Sequence, residues 1–419
     1  PFAFVIATAV LLLFSAGYTS MTRFVPSAGA FYSYVDKGLG RSAGLGAAFV
    51  ALLAYLALEA GVFGLFGPAL ASLVESYGGP ALPWWVWAAL GFAVVVLFGY
   101  RNIELSGKVL AVLLLAEVAI VLALDAAILF SGGGPEGLAA GIISPAEILS
   151  GAPGVGILFA ILSFIGFEAT AVFRDEARDP DRTIPKATYI SLLSIGGFYT
   201  LSSWLLISGV GQSAVVAESA ENPGTILQTT TEAYLGAAGG HIISLLFVTS
   251  LFACILSFHN IVARYIFQLA SRDVFAPRFS VPHARYGSPA SASLAAAGVV
   301  AVLNVAAVLL GLDPIVQFYT WLGGISSVGI VLLLVLASVA VLASFTRQER
   351  GGSTWRRRAA PALGLAGLLL FLAIILQNLP TLVGEESYGP FSFGVLALLV
   401  LAFAAGPVVA RAKSTVVLH

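Results

Sequence analysis

Long runs of apolar residues, broken only by short clusters of glycine, proline and charge, recur from one end of this chain to the other. Eleven of them predict helices: Phe2 to Ser20, Leu45 to Val74, Trp84 to Phe98, Val109 to Phe130, Val155 to Phe173, Thr188 to Val210, Ile242 to Leu269, Ala290 to Leu310, Ile315 to Phe345, Ala362 to Leu379 and Phe391 to Val409. The runs are continuously apolar, and a hydrocarbon core about 30 Å thick takes ~20 such residues per helix. Only helices and closed barrels satisfy every backbone polar group in that medium. Alternating strands of ~10 residues, the mark of a barrel, are not what these runs show. Several runs exceed a perpendicular crossing, which implies tilt or an interruption.

Composition and charge agree with this pattern. Of 419 residues, 59% are apolar and 10% charged, against roughly 25% charged in a soluble chain. Lys and Arg collect in cytoplasmic loops, so alternate connections should differ in basic content. All 20 basic residues end or follow the odd-numbered runs. The opposite loops carry only acids, among them Glu75, Glu136, Glu218, Asp313 and Glu385. That asymmetry places the C-terminus in the cytoplasm and Pro1 outside. With Met21 as the sole methionine, Pro1 reads as a trimmed start, and one further helix upstream is expected, giving twelve. No basic flank precedes Phe2 to Ser20, so it does not read as a signal peptide. The one basic cluster, Arg356 to Arg358, sits between apolar runs and gives nucleic-acid binding no support. A lone Cys254 excludes an internal disulfide framework and any multi-cysteine metal site. Gly38-Leu39-Gly40 and Gly44-Leu45-Gly46 follow no strand, so they are loop glycines rather than a dinucleotide motif. No catalytic set is interpretable, and no enzyme activity, cofactor or metal is expected.

Ionisable groups within a span cost roughly 2.5–3.5 kcal/mol each on insertion scales and are functional candidates by default. Five stand out: Glu59, Glu117, Asp125, Glu168 and His259. Asp125 lies near the exterior end of its run and reads as a solvated end group. Glu59, beside Gly61 and Gly64, is either functional or a hydrogen-bond acceptor between close-packed helices. Glu117, at the middle of the fourth run, either binds and releases a proton or is a protonated side chain bonded to a neighbouring helix. His259 is a satisfied core residue or a ligand group, with no second His or Cys at metal spacing. In Phe164-Ile165-Gly166-Phe167-Glu168, glycine stands between aromatics and a carboxylate near mid-membrane. Either the helix breaks there and offers free backbone groups to a polar ligand, as discontinuous helices of transporters do, or Gly166 permits close packing.

Three segments in order resemble the amino acid, polyamine and organocation (APC) superfamily. Arg23-Phe24-Val25-Pro26-Ser27-Ala28-Gly29-Ala30-Phe31-Tyr32 resembles the stretch after that family's second helix. Phe164 to Glu168, with Pro180, Arg182, Thr183, Ile184 and Pro185 beyond, resembles its sixth helix and cytoplasmic exit. His259-Asn260 through Arg264, then Pro277 and Gly287-Ser288-Pro289, resembles its eighth helix and following loop. The resemblance implies an all-α LeuT-type bundle of two five-helix inverted repeats plus two C-terminal helices, with eleven spans of an expected twelve present. Helices two to five of the first repeat would occupy 1–130, the second repeat 153–345 and the two added helices 361–411. Phe164, Ile165, Gly166, Phe167 and Glu168 would bind substrate, with Phe164 or Phe167 as a gate. His259 falls where some relatives place a substrate-contacting tryptophan. Glu117 falls where certain proton-coupled relatives hold a lysine, so its charge is reversed. The glycine-rich break of the expected first helix would complete the pocket.

The implied activity is secondary transport of an amino acid across the cytoplasmic membrane by alternating access, by symport or exchange, coupled to protons or to sodium. A polyamine or other organic cation is the alternative substrate, with Glu59, Glu117 and Glu168 as anionic pocket groups. A non-transporting receptor would need a soluble domain, and the longest polar connection, Gly211 to Gly240, faces outward. Oligomeric state is open.

Overall fold

The computed structural model describes residues 1–25, 30–101, 107–141, 144–148, 153–167, 179–347 and 355–414. These are almost wholly helical: α1 (Phe2–Met21), α2 (Ala30–Leu39), α3 (Arg41–Ser76), α4 (Trp84–Arg101), α5 (Gly107–Phe130), α6 (Pro145–Ile148) and α7 (Pro153–Leu162). There follow α8 (Pro180–Val210), α9 (Val215–Glu221), α10 (Ile226–Ser271), α11 (Ala290–Leu309) and α12 (Thr320–Arg347). The series closes with α13 (Ala360–Gln377), α14 (Leu379–Leu382) and α15 (Pro390–Ser414). Among the described residues ten helices are long and apolar enough to cross a membrane, and each overlaps one predicted run. The described part of the eleventh run, Val155 to Phe173, is covered by the ten-residue α7 and the turns that follow it to Phe167.

Two helix starts have their first amides satisfied by side chains. Asp313 Oδ1 accepts from the backbone N–H of Ile315 and Val316, at 2.9 and 2.6 Å, and so starts the π-turn Pro314–Tyr319 that leads into α12. Glu385 accepts from the amides of Gly389, Phe391 and Ser392 at the head of α15. Both meet donors that a helix start leaves unpaired. One expectation fails here. The stretch Gly211 to Gly240 is not a polar connection but largely helix, because α10 starts at Ile226, sixteen residues ahead of its apolar run. Non-helical backbone at Gly236 (φ 72°, ψ 178°) separates that polar head from the apolar body.

The chain divides into two compact units, one formed by Pro1–Ala54, Ile148–Thr200 and Gly324–His419, the other by Tyr55–Glu147 and Leu201–Gly323. In the first, α1 packs on both α7 and α13, and α7 also packs on α13. Contact is close because small residues face neighbours: a Cβ added at Gly17 would lie 2.6 Å from Pro361, and one at Gly364 would lie 2.7 Å from the backbone of Phe14. Between helices in lipid, such close approach replaces the hydrophobic drive that water supplies elsewhere. In the second unit α10 packs on α4, α5 and α11, and α11 packs on α4. Large apolar side chains stay exposed in number, including Val112 and Leu115 on α5, Val302 on α11 and Leu401 on α15. Such an exterior suits acyl chains and not water.

Candidate functional site

In the first unit the interruption begins one turn before the glycine. The backbone leaves the α-helical pattern after Leu162, and Ser163–Phe167 form successive turns closed by Phe164 N–H to Ile161 O at 3.0 Å and Phe167 N–H to Phe164 O at 3.2 Å. Gly166 has φ +108°, a region closed to most L side chains, and a Cβ built on it meets nothing within 4 Å. The glycine therefore serves the turn rather than close packing against a neighbour. Phe164 and Phe167 are buried, whereas Gly166 is exposed. Phe167 meets Phe14 of α1 edge-on, with centroids 6.2 Å apart. Phe14 in turn stacks on Tyr18, and Tyr18 on Tyr34 of α2 at 4.4 Å. An aromatic wall thus fixes one flank of the turn. The C-terminal end of α7 carries the negative pole of its dipole. Glu168 lies outside the described residues.

In the second unit a polar network is buried among helices. His259 of α10 and Glu59 of α3 are 0% and 1% exposed, and His259 Nδ1 lies 2.7 Å from Glu59 Oε1. On the other side of the ring, Nε2 lies 2.8 Å from the hydroxyl of Ser293, in the first turn of α11. Glu59 Oε2 is buried with no hydrogen-bond partner. The fourth wall is Gly99 of α4: a Cβ there would stand 2.6 Å from His259 Cδ2 and 2.8 Å from Ser293 Oγ. Of the two readings of His259, the satisfied core residue fits the geometry, since both ring nitrogens already have protein partners. Glu59, read as functional or as an interhelical acceptor, is at least the second.

Two further carboxylates behave differently from each other. Glu117 of α5 is half-buried and accepts from the Ser250 hydroxyl of α10 at 3.0 Å, a bond to a neighbouring helix that either sequence reading of it allows. Asp125 is not the solvated end group expected: it is 4% exposed and accepts from Ser202 of α8 at 2.6 Å. Leu124, the residue before it in the chain, belongs to an apolar cluster with Ile128 and Leu205. Sequence reasoning named neither Ser293 nor Gly99, Ser250 nor Ser202. A serine in an apolar helix carries no local signal of which carboxylate or imidazole will reach it. Among the described residues no group of three or more His, Cys, Asp or Glu could hold a metal ion.

With this geometry in place, comparison with known proteins is informative. A family model described as amino acid permease matches residues 1–403. The low-affinity putrescine importer PlaP of Escherichia coli is 23% identical over 365 residues, covering 84% of this chain and 75% of that protein. The aromatic amino acid transport protein AroP of Escherichia coli is 27% identical over 201 residues, 46% of this chain and 43% of that protein. Among solved structures, a manganese transporter of Eremococcus coleocola superposes with a TM-score of 0.58 at 15% identity, covering 97% of this chain and 88% of that one. Likeness at that identity speaks for the fold alone, which is that of a LeuT-type transporter.

Proposed function

Since the chain belongs to the amino acid permease family, we propose that it is a secondary transporter that carries an amino acid, or a small diamine of the putrescine kind, across the cytoplasmic membrane by alternating access. The observation that carries this reading is the end of α7. In a run predicted to continue to Phe173, α7 ends at Leu162 and the chain turns through a glycine with φ +108°, beside which a Cβ would meet nothing within 4 Å. Broken helices at membrane depth are tolerated where they line a cavity, and they form the substrate sites of transporters of this architecture. The negative pole of α7 attracts an amine, a group that amino acids and diamines share. Phe164, Ile165, Gly166 and Phe167 supply the wall, and Glu168, next in the chain, an anionic group. The inverted repeats over 1–130 and 153–345, the added helices over 361–411 and a cytoplasmic C-terminus belong to the same reading.

Uptake into liposomes carrying the full-length protein tests it. Saturable uptake of a labelled amino acid or of putrescine is expected, and mutual competition among putrescine, arginine and neutral amino acids ranks the substrates. No saturable uptake of any of these overturns the reading. Glu117→Gln is expected to weaken dependence on an imposed pH gradient, and unchanged dependence removes Glu117 from the coupling path.

A further inference from the structure

The second unit holds a group of side chains that the substrate site proposed at the end of α7 does not include. Glu59, His259 and Ser293 come from three helices, lie far apart in sequence, and form one continuous path of 2.7 and 2.8 Å contacts. Hydrogen bonding alone does not call for a carboxyl group and an imidazole there, since an amide and a hydroxyl would join the helices at lower cost. The pair also leaves Glu59 Oε2 buried and unmet, which a merely adhesive contact would avoid. Resting on the permease reading above, we infer that this triad is a proton-binding site and that the proton it holds is the coupling ion of the carrier.

The chemistry follows from the geometry. While the site is closed to water, a net charge among apolar helices is costly, so the pair holds one proton between carboxylate and imidazole. That proton sits on Glu59 Oε1, which donates to His259 Nδ1, while Nε2 carries its own N–H and donates to Ser293 Oγ. Release is balanced in one direction. Nε2–H passes its proton to Ser293 Oγ as the hydroxyl passes its own proton outward to water, the Oε1 proton moves across to Nδ1, and Nε2 then accepts from the re-formed hydroxyl. Uptake is the reverse.

The path has a short way out. Gly99 is two residues from the end of α4 at Arg101, and Ser293 is the fourth residue of α11. At 1.5 Å per residue, both lie about one helical turn from the ends of their helices. Beyond them the connection from α10 to α11 is fastened to α4: the Ser288 hydroxyl donates to the carbonyl of Tyr100 at 2.6 Å, and the Tyr100 hydroxyl meets His283 Nε2 at 3.2 Å. The absence of a side chain at Gly99 is what leaves the imidazole its place.

Few other ionisable groups surround the triad. On α3 the one a turn away is Tyr55, whose ring meets that of Tyr265 on α10. α4 brings Tyr100 and the exposed Arg101, and α10 also brings Cys254 and the exposed Arg264. Glu117 of α5 is held by Ser250, nine residues before His259. Tyr319 comes from the π-turn against Gly61, and α11 carries no titratable side chain.

Infrared difference spectra between acidic and alkaline buffer, recorded on the full-length protein in phospholipid, detect protonated carboxyl groups without reference to transport. The expected spectrum contains a carboxylic-acid carbonyl component that is absent in Glu59→Gln and shifted in His259→Gln. In liposomes, an inward gradient of one pH unit should drive about tenfold accumulation of substrate by the native protein. His259→Gln, which keeps a hydrogen-bonding group of similar reach, should show no accumulation while still exchanging labelled for unlabelled substrate. Coincident spectra for the native protein and Glu59→Gln overturn the proposal, as does undiminished accumulation by His259→Gln. A native protein that shows the carbonyl component and transports nothing overturns the permease reading instead, and the coupling role with it, while the proton site stands.

Discussion

The turn that closes α7 and the network around His259 both violate the apolar rule of a membrane-embedded bundle, and they do so by opposite means. At Ser163–Phe167 the backbone is irregular and the flanking side chains are apolar and aromatic. Around His259 the helices run unbroken and the side chains are polar. A backbone interruption needs only local sequence, a glycine able to take φ +108°. A buried carboxyl group needs partners from other helices, or it is not tolerated at all. In the reading proposed above, the first arrangement presents groups to a ligand, and the second joins its groups to one another, leaving Glu59 Oε2 aside, and holds the coupling proton.

Substitutions that attack one region and spare the other sharpen this contrast. The largest effect is expected at Gly166. Gly166→Val has room for its side chain but not a suitable backbone, a strain of about 1–3 kcal/mol, and initial uptake rates should fall by about a hundredfold while thermal stability falls by no more than that strain. Native uptake in that variant would remove the turn from the substrate site. Next comes His259→Leu, which strands the Glu59 carboxyl group and should cost about 3–5 kcal/mol in thermal unfolding. Adding Glu59→Leu should restore part of that loss, because an apolar pair no longer leaves a buried charge unmet. Gly99→Ala is expected to cost less, about 1–3 kcal/mol, by pushing a methyl group against the imidazole and the Ser293 hydroxyl. A melting temperature equal to that of the native protein would contradict the packing described. The smallest effect lies outside both regions. The Ser392 hydroxyl, with the Ser392, Phe391 and Gly389 amides, holds the Glu385 carboxyl below its ordinary value. A depressed folded value means that the contribution is present above the unfolded value of about 4.3 and is lost as pH falls through the folded value. Glu385→Gln should therefore abolish the acid-dependent part of amide protection at the head of α15, read by hydrogen exchange corrected for its intrinsic pH dependence.

The sequence made the bundle legible because each crossing helix is a local matter of composition and length, and ten of the eleven predicted runs overlap such a helix. The interruption at Gly166 was legible as a position, since glycine between two phenylalanines is conspicuous, but not as a boundary. α7 stops at Leu162, four residues earlier. Asp125 was misjudged because its place near a helix end said nothing of Ser202, which arrives from a different helix and donates to it. The helical stretch between Gly211 and Gly240 was missed because its residues are polar, and polarity was taken for a loop.

What the sequence determined by itself was the solvent: too few charges and too many continuous apolar runs for water, with every Lys and Arg on alternate connections. That follows because partition into lipid is a sum over residues and hardly depends on their arrangement. What only the tertiary structure decided was which buried polar groups meet. Glu59 and His259 are 200 residues apart, and their pairing depends on how α3 and α10 pack, on Ser293 arriving with α11, and on the missing side chain at Gly99. Hydrogen bonds are short-ranged and directional, so such a meeting is fixed by packing to within an ångström and not by composition.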